Sequence, residues 1–218
     1  MHSSMNTAFD LTDSDRHILS LTDDDFILHD WDNLVSIIGN FLLTVTIRTY
    51  ISVYFPARND LDALKRKPSD LARYLAWSSD TKAQYGSVSN FICHCRLKWA
   101  SPPAYTPLPP SNPVPFADPS DYKILRNDWP YGVAPGIVHL VVWLRTPIPA
   151  REDNGDLTDE SRRLIEEFVG RTFVARLVTS QVLWFKNWSA LQTIRTLEHF
   201  HVLLRDVPED LLYEWTRE

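Results

Sequence analysis

Residues 137–145 decide the fold, and they read Ile137-Val138-His139-Leu140-Val141-Val142-Trp143-Leu144-Arg145. β-Branched and aromatic side chains dominate this stretch, which favours a strand. Successive side chains of a strand point to opposite faces of the sheet. We therefore predict a strand with one side formed by Val138, Leu140, Val142 and Leu144, and the other by Ile137, His139, Val141 and Trp143.

The segments that follow this strand alternate between helical and extended patterns. A helix capped by Thr158 is predicted over residues 159–178, and short strands over 182–186 and 199–205. A capping box formed by Ser189 and Gln192 predicts a helix to about residue 197, and Pro208 opens a last helix. The pattern predicts an α/β fold, with α+β left open: a single domain whose C-terminal half holds a mixed sheet flanked by helices.

The N-terminal half contains helices and two segments of unusual composition. Helices are predicted at residues 31–38 with Asp30 as N-cap, from Pro68 to about 78, and after the N-cap Ser87. Eight of the eighteen residues in 102–119 are proline, which predicts an extended connector that wraps the surface or serves as a ligand for a proline-binding domain. Residues 1–25 are acidic and rich in Ser and Thr, so we predict a disordered tail before a domain over 26–218.

Composition excludes several classes of protein. The 218-residue chain carries a net charge of -6, so it has no global basic character of the kind that binds nucleic acid, although a local basic face stays open. Its two cysteines, Cys93 and Cys95, are poorly spaced for a disulfide, which indicates a reducing compartment. No signal peptide or membrane span is present in the pattern, so a cytoplasmic protein without membrane contact is expected. No phosphate-binding glycine loop, nucleophile elbow or zinc-ligand quartet is found, and we predict neither a metal nor a cofactor.

Residues 126–132, Arg126-Asn127-Asp128-Trp129-Pro130-Tyr131-Gly132, combine charge, aromatic surface and turn formers. Proline and glycine make this stretch a turn. A turn that only reverses the chain needs neither Trp nor Tyr, since small polar residues suffice. The motif is therefore either the wall of a pocket beside a charged group or a well-packed loop at the edge of the domain.

Histidines form the second candidate cluster. On a strand, His199 and His201 share a face, and His139 lies on a neighbouring strand. Three converging imidazoles suit proton transfer near neutral pH, a metal site, or a purely structural hydrogen-bond network. Nothing in the spacing decides between these alternatives.

Two carboxylates and one loop complete the candidate residues. Asp128 and Glu198 stand in aromatic surroundings, so they either pair with internal cations such as Arg126 or Arg195 or await a cationic ligand. A guanidinium is the ligand that best matches two carboxylates and a stacking Trp. The loop Lys186-Asn187-Trp188 precedes a predicted helix start, where an anionic ligand group can dock, or it is an ordinary connection.

Several motifs together resemble a fungal family. They are Asp70 to Trp77, Tyr85-Gly86-Ser87, Arg96 to Trp99, Asn127 to Gly132, Ile137 to Trp143, Trp184 to Trp188 and Glu198 to Val202. The chain is similar over residues 28–216 to the N-acetylglucosamine-induced protein one family, a domain of unknown function that includes fungal arginine-containing cyclodipeptide synthases. One departure is the segment 40–59, which is either an extra strand, as its apolar residues 41–55 favour, or an insertion.

The resemblance implies an enzyme of natural product biosynthesis, an aminoacyl transferase that joins arginine and a second amino acid into a cyclic dipeptide. It implies arginyl-tRNA and a second aminoacyl-tRNA as partners. The expected catalytic residues are Glu198, His199, His201 and Tyr131, and Ser87 and Cys93 are the weaker candidates for a covalent intermediate. The expected substrate-binding residues are Asp128, Trp129, Asn127, Arg126, His139, Trp143, Lys186, Asn187 and Trp188. The alternative is a non-enzymatic N-acetylglucosamine-response or metabolite-binding protein.

Overall fold

Four antiparallel strands form the centre of the protein, in the order β1-β2-β4-β3. The computed structural model describes residues 11–39, 60–100, 109–152, 155–188, 192 and 194–218. The strands are β1 (Tyr122–Arg126), β2 (Ile137–Leu144), β3 (Val182–Phe185) and β4 (Glu198–Arg205). The predicted single domain with helices and a sheet in its C-terminal half is confirmed. Every strand pair is antiparallel rather than mixed, which is the α+β form of the prediction.

The two central strands show the alternation that the sequence predicts. β2 pairs with β4 along its full length, with Val141 opposite His201 and Trp143 opposite His199. One face carries Leu140, Val142, Phe200 and Val202 into the main hydrophobic core. That face is covered by α5 (Asp159–Val169), whose Ile165 and Phe168 are fully buried, and by α6 (Glu209–Thr216). The opposite face of the sheet carries the three histidines.

Helices from the N-terminal half cover the histidine face. They are α2 (Trp31–Ile38), capped by Asp30, α3 (Pro68–Tyr85) and α4 (Val88–Phe91), capped by Ser87. α4 continues as a π-helix over Ile92–Leu97, and α5 continues as one over Gly170–Val174. Short 3-10 turns occupy Leu61–Ala63, Pro119–Asp121 and Thr179–Gln181. The predicted caps Asp30, Ser87 and Thr158 each accept the expected backbone hydrogen bond.

The tail prediction needs correction over residues 12–25. Asp13–Leu19 form helix α1, in which Thr12 and Asp15 make a reciprocal capping box. Ile18 is buried in a cluster with Leu71 and Tyr74 of α3. An amphipathic turn docked on another helix is ordered by packing, which an acidic composition does not reveal. Residues 1–10 lie outside the described part of the chain.

Three further predictions concern the segment after Ser189, the segment 40–59 and the proline connector. The helix predicted after Ser189 is wrong where it can be compared, because Gln192 and residues 194–197 are not helical. The segment 40–59 lies outside the described residues, as does 101–108 of the proline connector. Residues 109–119 lie mostly at the surface, as one of the two predictions expects, but Phe116 is buried and stacks on Phe168 with ring centroids 4.4 Å apart. Among the described residues, no helix is long and apolar enough to cross a membrane.

Candidate functional site

A cleft lies over the histidine face of the sheet. It holds about 850 Å³, including its open mouth. Its lining comes from β1, β2 and β4, from α3 and α4, and from the turn after β1, and it combines apolar, aromatic and charged side chains. The lining residues are Arg66, Tyr74, Trp77, Val88, Ile92, Arg96, Leu125, Arg126, Asn127, Asp128, Trp129, Tyr131, Val141, Trp143, Asn187, Gln192, Ile194, His199 and His201.

The turn at residues 126–132 forms one wall of this cleft. Its backbone is held on both sides, because Gly132 donates to the Lys65 carbonyl at 2.8 Å and His29 donates to the Gly132 carbonyl at 2.8 Å. The Asn127 side chain accepts from the Trp129 amide at 3.0 Å, which closes the turn. Trp129 then packs on Trp77, with ring centroids 5.3 Å apart. The motif therefore combines a pocket wall with tight edge packing.

His199 has the geometry of a general base. Its Nδ1 lies 2.8 Å from the Leu197 carbonyl oxygen, so Nδ1 carries the proton and Nε2 presents a lone pair. The ring lies against Trp143 with centroids 4.8 Å apart, which fixes its plane. Burial lowers the pKa of His199 below its ordinary value, although the bond to Leu197 opposes this shift. The neutral base form is therefore the stable one at neutral pH.

His201 and His139 form a buried network beneath His199. His139 Nε2 lies 3.0 Å from His201 Nδ1, and His201 Nε2 lies 3.4 Å from the Asn187 amide nitrogen. Burial lowers the pKa of His139 to about 3, and it lowers the pKa of His201 well below its ordinary value. Both rings are therefore neutral, and one donates a hydrogen bond while the other accepts it.

Tyr131 and Asn187 add hydrogen-bond donors at the same end of the cleft. The Asn187 amide donates to the Tyr131 hydroxyl oxygen at 3.4 Å, and Tyr131 stacks on His139 with centroids 5.2 Å apart. Because the Tyr131 oxygen accepts from Asn187, its own hydrogen can be donated into the cleft. Gln192 holds this loop by donating to the Asn187 carbonyl at 2.6 Å.

Asp128 pairs with an internal cation, as one of the two predictions expects. The partner is Arg96, and not Arg126 or Arg195. Its two carboxylate oxygens each accept from Arg96 at 2.9 Å. Arg96 also pairs with Glu218 at 2.7 Å. Arg126 pairs instead with Glu209 at 2.5 Å. Burial raises the pKa of Asp128, and Arg96 opposes that shift. The Asp128 side chain remains 42% exposed, so it still faces the cleft.

The structure brings together most of the predicted site residues. Those that line the cleft are His199, His201, Tyr131, Asp128, Trp129, Asn127, Arg126, Trp143 and Asn187. His139 lies behind Tyr131 and His201 and contacts both. Glu198, Lys186 and Trp188 are not part of the cleft lining, and the first of these was a predicted catalytic residue.

The alternation of the strands explains why Glu198 and Lys186 lie elsewhere. Glu198 lies two residues before Phe200 on β4, so both side chains point to the face of the main hydrophobic core, opposite to His199. Lys186 follows Trp184 with the same parity, and its ammonium pairs with Glu198 at 2.9 Å. The Ile148 amide donates to the other Glu198 oxygen at 3.1 Å. The structure therefore places Glu198, a predicted catalytic residue, in an ion pair outside the cleft lining.

Some cleft residues were missed from the sequence. Tyr74, Trp77 and Arg96 lie in motifs that carry the family resemblance, so a signal existed for them. No sequence signal pointed to Arg66. It is held at the cleft by hydrogen bonds between residues 65–66 and the turn at 126–132, which lies more than sixty residues further along the chain.

Ser87 and Cys93, the candidates for a covalent intermediate, do not have the surroundings of an activated nucleophile. Ser87 is an N-cap, and burial raises the pKa of the Cys93 thiol, which disfavours the nucleophilic thiolate. Within the described ranges, no group of three or more His, Cys, Asp or Glu side chains is arranged to hold a metal ion.

Known proteins resemble this chain across the cleft. A family described as protein of unknown function (DUF3605) matches residues 51–205, which include every residue lining the cleft. N-acetylglucosamine-induced protein 1 of Candida albicans is 28% identical over 171 residues, 72% of this chain and 67% of that protein. An uncharacterized protein of Saccharomyces cerevisiae is 32% identical over 91 residues, 41% of this chain and 46% of that protein. A solved structure, "Crystal Structure of HTC1", has 26% identity and a TM-score of 0.54, and the match covers 70% of this chain and 80% of that one.

Proposed function

The chain belongs to the DUF3605 family of proteins of unknown function, and we propose that it is an aminoacyl transferase that makes an arginine-containing cyclic dipeptide from two aminoacyl-tRNAs. The observation that carries this proposal is His199, a neutral imidazole anchored at Nδ1 whose ring faces an aromatic cleft. The reaction class comes from the resemblance of the sequence motifs to a family that includes arginine-containing cyclodipeptide synthases.

The reaction needs a base and an oxyanion donor, and the cleft offers both. The amine of one aminoacyl group attacks the ester carbonyl of the other, forming an amide bond and releasing the ribose oxygen of its tRNA. His199 Nε2 accepts the proton of the attacking amine and returns it to that leaving oxygen. The Tyr131 hydroxyl donates to the carbonyl oxygen as negative charge develops there. The remaining amine then attacks the second ester in the same way, which closes the ring and releases the second tRNA.

The walls of the cleft provide positioning. Trp77 and Trp129 offer flat apolar surfaces in the cleft that also holds His199, and binding two aminoacyl groups there turns a bimolecular step into an intramolecular one. Asp128 is the one carboxylate of the described residues that lines the cleft. We assign it the arginine side chain, whose guanidinium would share the carboxylate with Arg96.

The direct test is product formation by the purified protein. Arginyl-tRNA is supplied with a mixed pool of aminoacyl-tRNAs, and mass spectrometry searches for cyclic dipeptides that contain arginine. We expect one such product, absent when free amino acids and uncharged tRNA replace the charged tRNAs. If no second amino acid gives a cyclic product, the proposal fails. Saturable binding of a small ligand in the cleft without turnover would then favour the metabolite-binding alternative.

A further inference from the structure

Arg66 lies in the cleft without an acidic partner among the residues that the structure describes. Its Nε donates to the Trp129 carbonyl oxygen at 3.1 Å. Its guanidinium carbon lies 4.4 Å from the centroid of the Tyr74 ring and 5.7 Å from that of Tyr131. These contacts hold the group in place and leave the edge with the two terminal nitrogens for another partner.

The other arginines of the cleft differ from Arg66 in this respect. Arg96 pairs with Asp128 and Glu218, and Arg126 pairs with Glu209. Arg66 forms no corresponding ion pair within the described ranges. Of the three arginines that line the cleft, Arg66 is therefore the one whose charge is not balanced by a carboxylate of the described residues.

The surroundings of Arg66 also favour negative charge. His139 and His201 are buried and neutral, so they supply no anion to balance Arg66. The Tyr131 hydroxyl oxygen accepts from Asn187, which leaves its own hydrogen to be donated to a ligand. The Tyr131 hydroxyl and the terminal nitrogens of Arg66 are therefore donors that an anionic group can accept from.

We propose that Arg66 forms an anion subsite beside Tyr74 and Tyr131 in the cleft, which takes the carboxylate or phosphate group of a ligand with a flat apolar body. The terminal nitrogens of a guanidinium match two oxygens of either group in a bidentate arrangement. The flat body would lie along Trp77 and Trp129. This inference goes beyond aminoacyl transfer, because a protein that only binds metabolites would use the same subsite.

Matched pairs of probes test the subsite. AMP is compared with adenosine, and N-acetyltryptophan with its neutral amide, by calorimetric titration of the full chain at low salt. We expect the wild-type protein to bind the anionic member of at least one pair about tenfold more tightly. The AMP pair reports a phosphate ligand, and the N-acetyltryptophan pair reports a carboxylate ligand.

Variants then assign the preference to Arg66. Arg66→Gln should remove it and leave binding of the neutral probe, whereas Arg73→Gln, on the exposed side of α3, should keep it. Arg66→Lys, which keeps the charge but loses the fork, should retain only part of it. A wild-type protein without anion preference, or an Arg66→Gln variant that keeps it, would overturn the inference. The measurement involves no turnover, so failure of cyclic-dipeptide synthesis leaves it untouched.

Discussion

Replacing Glu198 by Gln separates a structural carboxylate from a catalytic one. Glu198 pairs with Lys186 at 2.9 Å, and the two side chains are only 19% and 13% exposed. The substitution leaves the ammonium without its counter-charge and removes an acceptor from either Lys186 or the Ile148 amide. Loss of one partner of a fully buried pair costs about 3–5 kcal/mol. Because both side chains retain some solvent contact, we expect roughly 2–3 kcal/mol here.

That loss is measurable by thermal unfolding. For a chain of this size, each kcal/mol lowers the melting temperature by roughly 2–4 °C, so Glu198→Gln should melt about 4–12 °C below wild type. The double variant Lys186→Met/Glu198→Gln should recover part of the loss, since no uncompensated charge remains. Glu160→Gln breaks an exposed pair with Arg163 and should change the melting temperature little.

The same substitution also tests whether Glu198 takes part in catalysis. Per folded molecule, Glu198→Gln should make product at the wild-type rate, because its carboxylate lies on the opposite face of the sheet from the cleft. A variant with wild-type stability but no product would refute this assignment and return Glu198 to the catalytic group.

Three further predictions follow from the same structure. In Gly132→Ala the added Cβ would lie 2.4 Å from Phe26 Cε1, which should cost about 1–3 kcal/mol of unfolding free energy; Gly170→Ala, with no atom within 4 Å of its Cβ, should cost nothing of this kind, and urea titration compares the two. Buried His139 has a pKa lowered to about 3, so the unfolded chain binds more protons below its ordinary pKa of 6.5, and stability should fall as the pH drops from 6.5 towards 3. The slope should reach about 1.4 kcal/mol per pH unit for this residue, and His139→Asn should flatten it by that amount in urea titrations at several pH values; an unchanged slope would contradict the buried neutral state. Asp128→Asn should lower arginine use about tenfold or more in competition with neutral amino acids, read by mass spectrometry, and an unaltered product ratio would remove Asp128 from arginine recognition.

Local patterns predicted the parts of the fold that depend on neighbouring residues. The alternation of β2 and β4 placed His139, His199 and His201 on one face, and the caps Asp30 and Thr158 marked the helix starts. The capping box of Thr12 and Asp15 was also present in the sequence, but the acidic composition around it suggested a tail. Strand order and direction are long-range properties that local patterns do not encode, which is why the predicted mixed sheet is wrong and all strand pairs are antiparallel.

The candidate site was predictable only in part for the same reason. Glu198 and His199 are neighbours on one strand, so their side chains point to opposite faces of the sheet. The sequence alone was therefore enough to separate Glu198 from the histidine face. The partner of Asp128 is a different matter, because Arg96 lies 32 residues away and reaches it from the π-helix after α4. The Arg66 side chain is held in the cleft by its hydrogen bond to the Trp129 carbonyl oxygen, a long-range contact that no local pattern encodes.

Cyclic-dipeptide synthesis in the cleft depends, in the proposed reaction, on His199 as the general base. The measurement is the rate of arginine-containing cyclic-dipeptide formation by His199→Gln, beside wild type and His17→Gln, which alters an exposed histidine of α1. Loss of a general base should slow product formation by about 10²–10⁴-fold, while His17→Gln keeps the wild-type rate. A folded His199→Gln protein that makes product as fast as wild type would show that His199 is not the base.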